Sequence, residues 1–263
     1  MTETVSLPAT LFGQDTGAPP LVMAHGLFGQ ARNFTTVARR LSAGRRVVTL
    51  DLRNHGTAPH ADAMTYQAMA ADLAQTLALA ARPVVLLGHS MGGKAAMTLA
   101  LTRPELIAGL IVADIAPVTY DHREHGSIIE AMQALDLSTV SRRSDADRAL
   151  AGPIPDPGVR GFIVSNLAIE DGAARWRPNL AALTRHMPEI LAFPTDLPHA
   201  TYDGPTLFLY GATSHYVAEA HRPACSALFP NAGFEAIQAG HWIHAEAPDA
   251  FLGAVDRWVA TLD

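Results

Sequence analysis

Short, uninterrupted apolar runs alternate along this chain with stretches whose apolar positions recur every three or four residues. Residues 21–24, 83–87 and 110–113 are runs of the first kind, as strands buried on both faces should be, and 46–50 reads as a further strand. Residues 31–41, 65–81 and 91–103 are of the second kind and read as helices, with Thr65 an N-cap and Pro104 a stop signal. This β-α-β-α order predicts a mostly parallel sheet with helices on both faces.

The pattern changes at 117–205. Nine of the 18 prolines fall there, and strand-like runs are scarce, 162–164 at most. Short amphipathic pieces at 127–137 and 180–190 predict a helical cap inserted into a core domain made of 1–116 and 206–263. Strand signals return at 206–210 and 234–238. The chain closes on a helix over 249–262, where Phe251, Val255, Trp258, Val259 and Leu262 follow 3.6-residue spacing and read as core packing.

One strand-to-helix junction carries chemistry. Gly88-His89-Ser90-Met91-Gly92 fits G-x-S-x-G between the 83–87 strand and the 91–103 helix, so Ser90 should stand exposed on a sharp turn at the sheet's carboxyl edge. The helix N-terminus behind it favours developing negative charge. Serine needs a base, and His241 follows the last strand just before the closing helix. His244, three residues on, is its rival, and His89 is expected to point away from the reaction.

The acid is the less usual part. The loop after 206–210 is Gly211-Ala212-Thr213-Ser214-His215-Tyr216 and holds no carboxylate; Glu219 is the first beyond it. Asp114 ends the strand after the nucleophile's, and neighbouring parallel strands end side by side. Asp114 is therefore the expected orienter of His241. The backbone N–H of Met91 and one from the His25-Gly26-Leu27-Phe28-Gly29 loop, taken as Leu27, are the expected oxyanion donors. Phe28 is expected to wall the acyl pocket, with Phe162 and Trp176 binding substrate from the cap.

Composition narrows the partners. The chain has 263 residues, 49% hydrophobic and 17% charged, with a net charge of −6, which argues against nucleic acid. No run approaches the length of a membrane-spanning helix, and residues 1–11 show no secretory leader. The single cysteine, Cys225, excludes an internal disulfide, reads as a buried filler and fits a cytoplasmic protein. No metal or cofactor is expected.

Asp51-Leu52-Arg53-Asn54-His55-Gly56, Asp114-Ile115-Ala116-Pro117 and Gly240-His241-Trp242-Ile243-His244-Ala245-Glu246 join the two glycine-rich motifs already quoted, and Lys94 follows the second. Together they closely resemble a branch of bacterial α/β-hydrolase esterases, which also looks like a mitochondrial group in animals. The resemblance runs from about Leu21 to the C-terminus and is weaker in the cap, where Trp176-Arg177-Pro178-Asn179-Leu180 looks similar to the family's cap helix.

It implies the α/β-hydrolase fold, a Ser90, Asp114, His241 triad, and activity on short to medium acyl esters, with acyl-CoA thioesters in some members. The chain departs from the wider superfamily at His215, where many relatives carry aspartate. That leaves the role of His215 open, and Lys94 reads as structural. A small-molecule ester or thioester is the expected partner of a monomer or homodimer. A cofactor-free C–C hydrolase or lactonase uses the same triad, and a small-molecule receptor on this fold is the alternative of another class.

Overall fold

The structure, a computed structural model, describes residues 3–121, 124–198 and 201–262. Nine strands and eleven α-helices are assigned among them. Seven strands form one sheet: β1 (Ala9–Phe12), β2 (Leu21–Ala24), β3 (Val47–Leu50), β4 (Val84–His89), β5 (Ile107–Ala113), β8 (Thr206–Gly211) and β9 (Ala232–Ile237). Their order is β1-β3-β2-β4-β5-β8-β9, with β1 antiparallel and every other pairing parallel. β1 is an edge strand without a long apolar run, which is why the hydrophobic pattern misses it.

Around this sheet lie α1 (Thr35–Leu41), α2 (Tyr66–Leu77), α3 (Met91–Ala100), α9 (Arg222–Leu228), α10 (Ile243–Glu246) and α11 (Pro248–Val259). The side chain of Thr65 accepts from Ala68 N–H at 3.2 Å, capping α2 as its sequence predicts. The α2 and α3 helices end earlier than their apolar patterns, at Leu77 and Ala100. Alternate residues of β4 serve opposite cores. Val84 and Leu86 pack with α2 and α3, while Val85 and Leu87 pack with α1 and α11. Two buried faces leave no polar side to alternate with, hence the continuous apolar run.

Between β5 and β8 stand α4 (Glu124–Ala134), α5 (Arg143–Ala149), α6 (Pro157–Val164), α7 (Leu180–Arg185) and α8 (Met187–Leu191). The stretch is not purely helical: β6 (Leu167–Glu170) and β7 (Ala173–Trp176) form an antiparallel hairpin that the sequence reading lacks. Its turn is Asp171-Gly172, both with positive φ, a sequence signal for a hairpin. Residues 162–164, the strand-like run, instead close α6, whose start is fixed by Asp156 accepting from Val159 N–H at 2.8 Å with Pro157 behind it. The 180–190 pattern is broken at His186, just before Pro188, into α7 and α8.

Candidate active site

Ser90 sits between β4 and α3 with φ 52° and ψ −120°, a backbone conformation that a non-glycine residue adopts only when its surroundings enforce it. Ser90 N–H donates to Ala113 O on β5 at 2.9 Å, and its carbonyl accepts from Gly93 N–H at 2.8 Å. The flanking glycines are required by close approach. A Cβ on Gly88 would collide with the Gly92 carbonyl, and one on Gly92 would collide with the carbonyls of Ala24 and His25. The two crossings press the turn against β2 and leave the serine hydroxyl facing a cavity.

That cavity, about 240 Å³, is lined by Ser90 and His241 together with Leu27, Phe28, Phe162 and Trp242. The Nδ1–H of His241 donates to Asp114 Oδ2 at 2.7 Å, and Asp114 is wholly buried. Asp114 also accepts from Gly211 N–H at 2.9 Å and from the Ser214 hydroxyl at 2.6 Å. With Nδ1 tied to the carboxylate, Nε2 of the neutral imidazole is left as the basic nitrogen. The His241 loop is pinned from both sides by Glu246, which accepts from Gly240 N–H at 2.6 Å and from Trp242 N–H at 3.1 Å. Tyr216 stacks on the ring, with centroids 4.1 Å apart. Sequence reasoning missed Ser214, Tyr216 and Glu246, although all three stand in or beside quoted motifs.

Two further histidines near Ser90, His89 and His244, are buried. His89 does not point away; it lines the cavity, and its Nε2–H donates to His241 O at 2.9 Å. The same burial holds its imidazole well below the usual range, and the neighbouring His241 adds to the effect. His244 lies against Phe34 and Phe251, and burial pushes it down to about 4. Its Nδ1 has no hydrogen-bond partner among the described residues. No side chain among the described residues orients it as Asp114 orients His241. Glu219, the rival acid, is exposed and ion-paired with Arg222, and His215 is also exposed.

Two histidines build the glycine-rich loop after β2. His25 Nδ1–H donates to Gly26 O at 2.8 Å while its Nε2 accepts from Leu52 N–H at 3.0 Å. His55 Nδ1–H donates to Arg53 O at 3.0 Å, and its Nε2 accepts from Phe28 N–H at 3.1 Å. Each accepting nitrogen must stay unprotonated, and burial pushes His55 down to about 3. This grip holds Phe28 at φ 57°. The N–H groups of Leu27 and Met91 donate to no acceptor among the described residues, as oxyanion donors require.

The remaining expectations divide. Phe162 lines the cavity and packs on Trp242, with centroids 5.7 Å apart. Trp176 does not: it ends β7, and its indole N–H donates to Met132 O at 2.9 Å inside the segment between β5 and β8. The expectation that it touches substrate is corrected. It is half-buried scaffolding, because a large aromatic with its one donor satisfied is a packing residue. Cys225 is buried, and burial pushes its thiol up to about 12, so it is inert as a nucleophile. No group of three metal-ligating side chains is found among the described residues.

The Alpha/beta hydrolase family model matches residues 21–254. The chain belongs to the alpha/beta hydrolase family. It is 43% identical to the sn-1-specific diacylglycerol lipase ABHD11 of Xenopus laevis over 98% of this chain and 85% of that protein. It is 38% identical to the esterase YbfF of Escherichia coli (strain K12), over 91% and 92% of the two chains. The solved structure of a marine microorganism esterase superposes with a TM-score of 0.93 at 33% identity, over 97% of this chain and all of that one. The reaction class of this hydrolase is that of a serine ester hydrolase acting on small-molecule esters, and these relatives do not favour the thioesterase and lactonase readings. Among the described residues no helix is long and apolar enough to cross a membrane.

Proposed function

We propose that Ser90, His241 and Asp114 are the catalytic triad of this hydrolase, with the backbone N–H groups of Leu27 and Met91 as its oxyanion hole. The observation that carries the reading is the 2.7 Å hydrogen bond from His241 to the buried Asp114, made by a histidine that shares a cavity wall with Ser90. Ser90 Oγ attacks the ester carbon while His241 Nε2 takes the hydroxyl proton. The oxyanion that forms accepts from Leu27 and Met91. Collapse breaks the bond to the alcohol oxygen, which leaves with the proton from His241. Water then attacks the acyl-enzyme, His241 again takes a proton, and release of the carboxylic acid restores Ser90.

The segment 117–205 serves as a cap in this reading. Its α4 and α6 helices supply Ile128 and Phe162 to the cavity, and Asn166 donates to Phe28 O at 2.7 Å, tying the cap to the oxyanion loop. The substrate is a small-molecule ester with an apolar alcohol, and the acidic chain with a buried lone thiol suits a cytoplasmic enzyme. Ser90→Ala should abolish p-nitrophenyl acetate turnover with the melting temperature kept, and a small fluorophosphonate should label the wild type once, at Ser90. Labelling at another residue would overturn the assignment.

A further inference from the structure

The Leu27 amide belongs to a four-residue turn, Gly26-Leu27-Phe28-Gly29, closed by Gly29 N–H donating to Gly26 O at 2.9 Å. The turn lies against the nucleophile: a Cβ added to Gly26 would stand 3.1 Å from that of Ser90. Phe28 has φ 57°, while Leu27 is not among the residues of positive φ. That is the pattern of a type II turn, whose third residue is ordinarily glycine or asparagine. A phenylalanine stays there only when groups outside the turn enforce it.

Two histidines cross between this turn and the loop after β3, in opposite directions. His25 precedes the turn, and its Nε2 accepts from Leu52 N–H at 3.0 Å; His55 follows β3, and its Nε2 accepts from Phe28 N–H at 3.1 Å. Each ring's other nitrogen donates within its own loop, His25 to Gly26 O at 2.8 Å and His55 to Arg53 O at 3.0 Å. The rings meet with centroids 5.2 Å apart. Behind them the buried Arg53 donates to Asp72 at 2.6 and 2.7 Å, so the far loop is a fixed support. Burial lowers both imidazoles, which keeps the accepting nitrogens free of protons.

The Gly26 carbonyl and the Leu27 N–H belong to one planar trans peptide and point in opposite directions. Holding the carbonyl therefore aims the amide. The bond from Leu52 N–H fixes the tautomer of His25 with its hydrogen on Nδ1, and that hydrogen holds Gly26 O. The central peptide, Leu27–Phe28, is what separates a type II turn from a type I turn, and its N–H is the one held by His55. We propose that His25 and His55 form a reciprocal latch that positions the oxyanion hole. His25 aims the Leu27 amide at the ester oxygen, and His55 keeps the turn in the form that allows it. Both are positioning residues that act through the backbone. The inference rests on the oxyanion role given above to Leu27, and it gives the Asp51–Gly56 motif a task in the reaction.

The test is the amide proton shift of Leu27 in a covalent adduct. Diethyl p-nitrophenyl phosphate transfers its phosphoryl group to Ser90 Oγ, releases p-nitrophenolate and sets a phosphoryl oxygen where the ester oxyanion forms. In ¹⁵N-labelled wild type the Leu27 and Met91 amide protons should both move downfield on labelling. His25→Asn keeps a donor at the Nδ1 position and should retain the Leu27 shift. His25→Gln carries its polar end at the Nε2 position and should lose most of that shift while keeping the Met91 one. Removing an oxyanion donor outright costs about 10²–10³ in kcat elsewhere, so a misaimed one should cost at least about tenfold for p-nitrophenyl acetate, with KM within about threefold. His55→Leu should behave like His25→Gln, and His55→Gln, which offers Phe28 N–H an acceptor, should restore most of the shift. Equal Leu27 shifts in the His25→Asn and His25→Gln adducts overturn the latch, as does an unchanged shift in His55→Leu. If His55→Leu does not fold, the His25 pair decides alone. The parent reading fails separately, and in the wild type: by labelling away from Ser90, or by a Leu27 amide that does not move.

Discussion

His241 Nδ1 lies 2.7 Å from Asp114 Oδ2, and the same carboxylate is held by Gly211 and Ser214 from the loop after β8. That loop is where this fold more often carries its acid. Here it carries donors instead, aimed at an acid arriving from the neighbouring strand β5. The register Ala113↔Leu209 makes this reach short, since the residues that follow each partner lie side by side. Asp114→Asn keeps the volume but puts an amide where the Nδ1–H needs an acceptor. A comparable change in another triad costs about 10⁴ in kcat, so a loss of at least roughly 10² is expected here. Glu219→Gln, far out on an exposed ion pair, should leave kcat near the wild-type value; the reverse ranking would reassign the acid.

Acid should unfold this protein through its buried histidines. His55 and His244 are pushed down to about 3 and about 4, and His25 and His89 are also lowered, all chiefly by burial. In the unfolded chain such groups take up protons as pH falls below about 6.5, while in the folded protein His244 does so only near 4 and His55 only near 3, and His25 and His89 also take theirs up later than when unfolded. The unfolded state binds more protons in that window, so stability is full above 6.5 and is lost on the way down. Melting temperature measured between pH 7 and pH 4 should fall steeply. His244→Leu removes one of these groups and should make the fall shallower, with ester turnover largely kept. An unchanged slope would mean His244 does not contribute to it.

Lys94→Met should be costly despite its similar volume. Three part-buried carbonyls of the 117–205 segment would lose a donor, with Leu191 O alone keeping another, from Tyr120 N–H at 3.0 Å, and an unsatisfied buried group costs about 1–3 kcal/mol. A loss of at least about 2 kcal/mol is expected, read as a drop in urea midpoint at constant slope. Near-native stability in this variant would show that the lysine does not hold the segment to α3.

Trp176 and Phe162 should separate cleanly. Trp176→Phe deletes the donor to Met132 O and should cost about 1 kcal/mol, or roughly 2–4 °C in Tm, with no change in substrate preference. Phe162→Ala should alter preference among alcohols through the cavity it lines. A preference shift in the tryptophan variant alone would return that side chain to the substrate.

The sequence alone reaches most of the sheet and names Ser90, His241 and Asp114, the residues of the proposed triad, because both readings rest on local rules. Buried parallel strands are continuous apolar runs, Thr65 marks a helix start, and Gly88 and Gly92 are demanded by a turn too tight for a Cβ. Asp114 is legible by exclusion, since the alternative loop holds no carboxylate. Other features depend on contacts between distant segments. β1 is an exposed edge strand paired on one side only, so nothing in its own residues repeats with the strand period. Residues 162–164 are apolar enough for either element, and their helix is decided by the Asp156 cap and the packing of Ile163 in the core. Trp176 carries the composition of a pocket residue, and only the β6–β7 pairing turns it toward Met132. Lys94 looks like any helix lysine until the chain's excursion between β5 and β8 brings back Leu191 and Ala192 to meet Val118 over its ammonium. These outcomes depend on which distant carbonyls and side chains the fold brings within hydrogen-bond reach, and no local pattern encodes that.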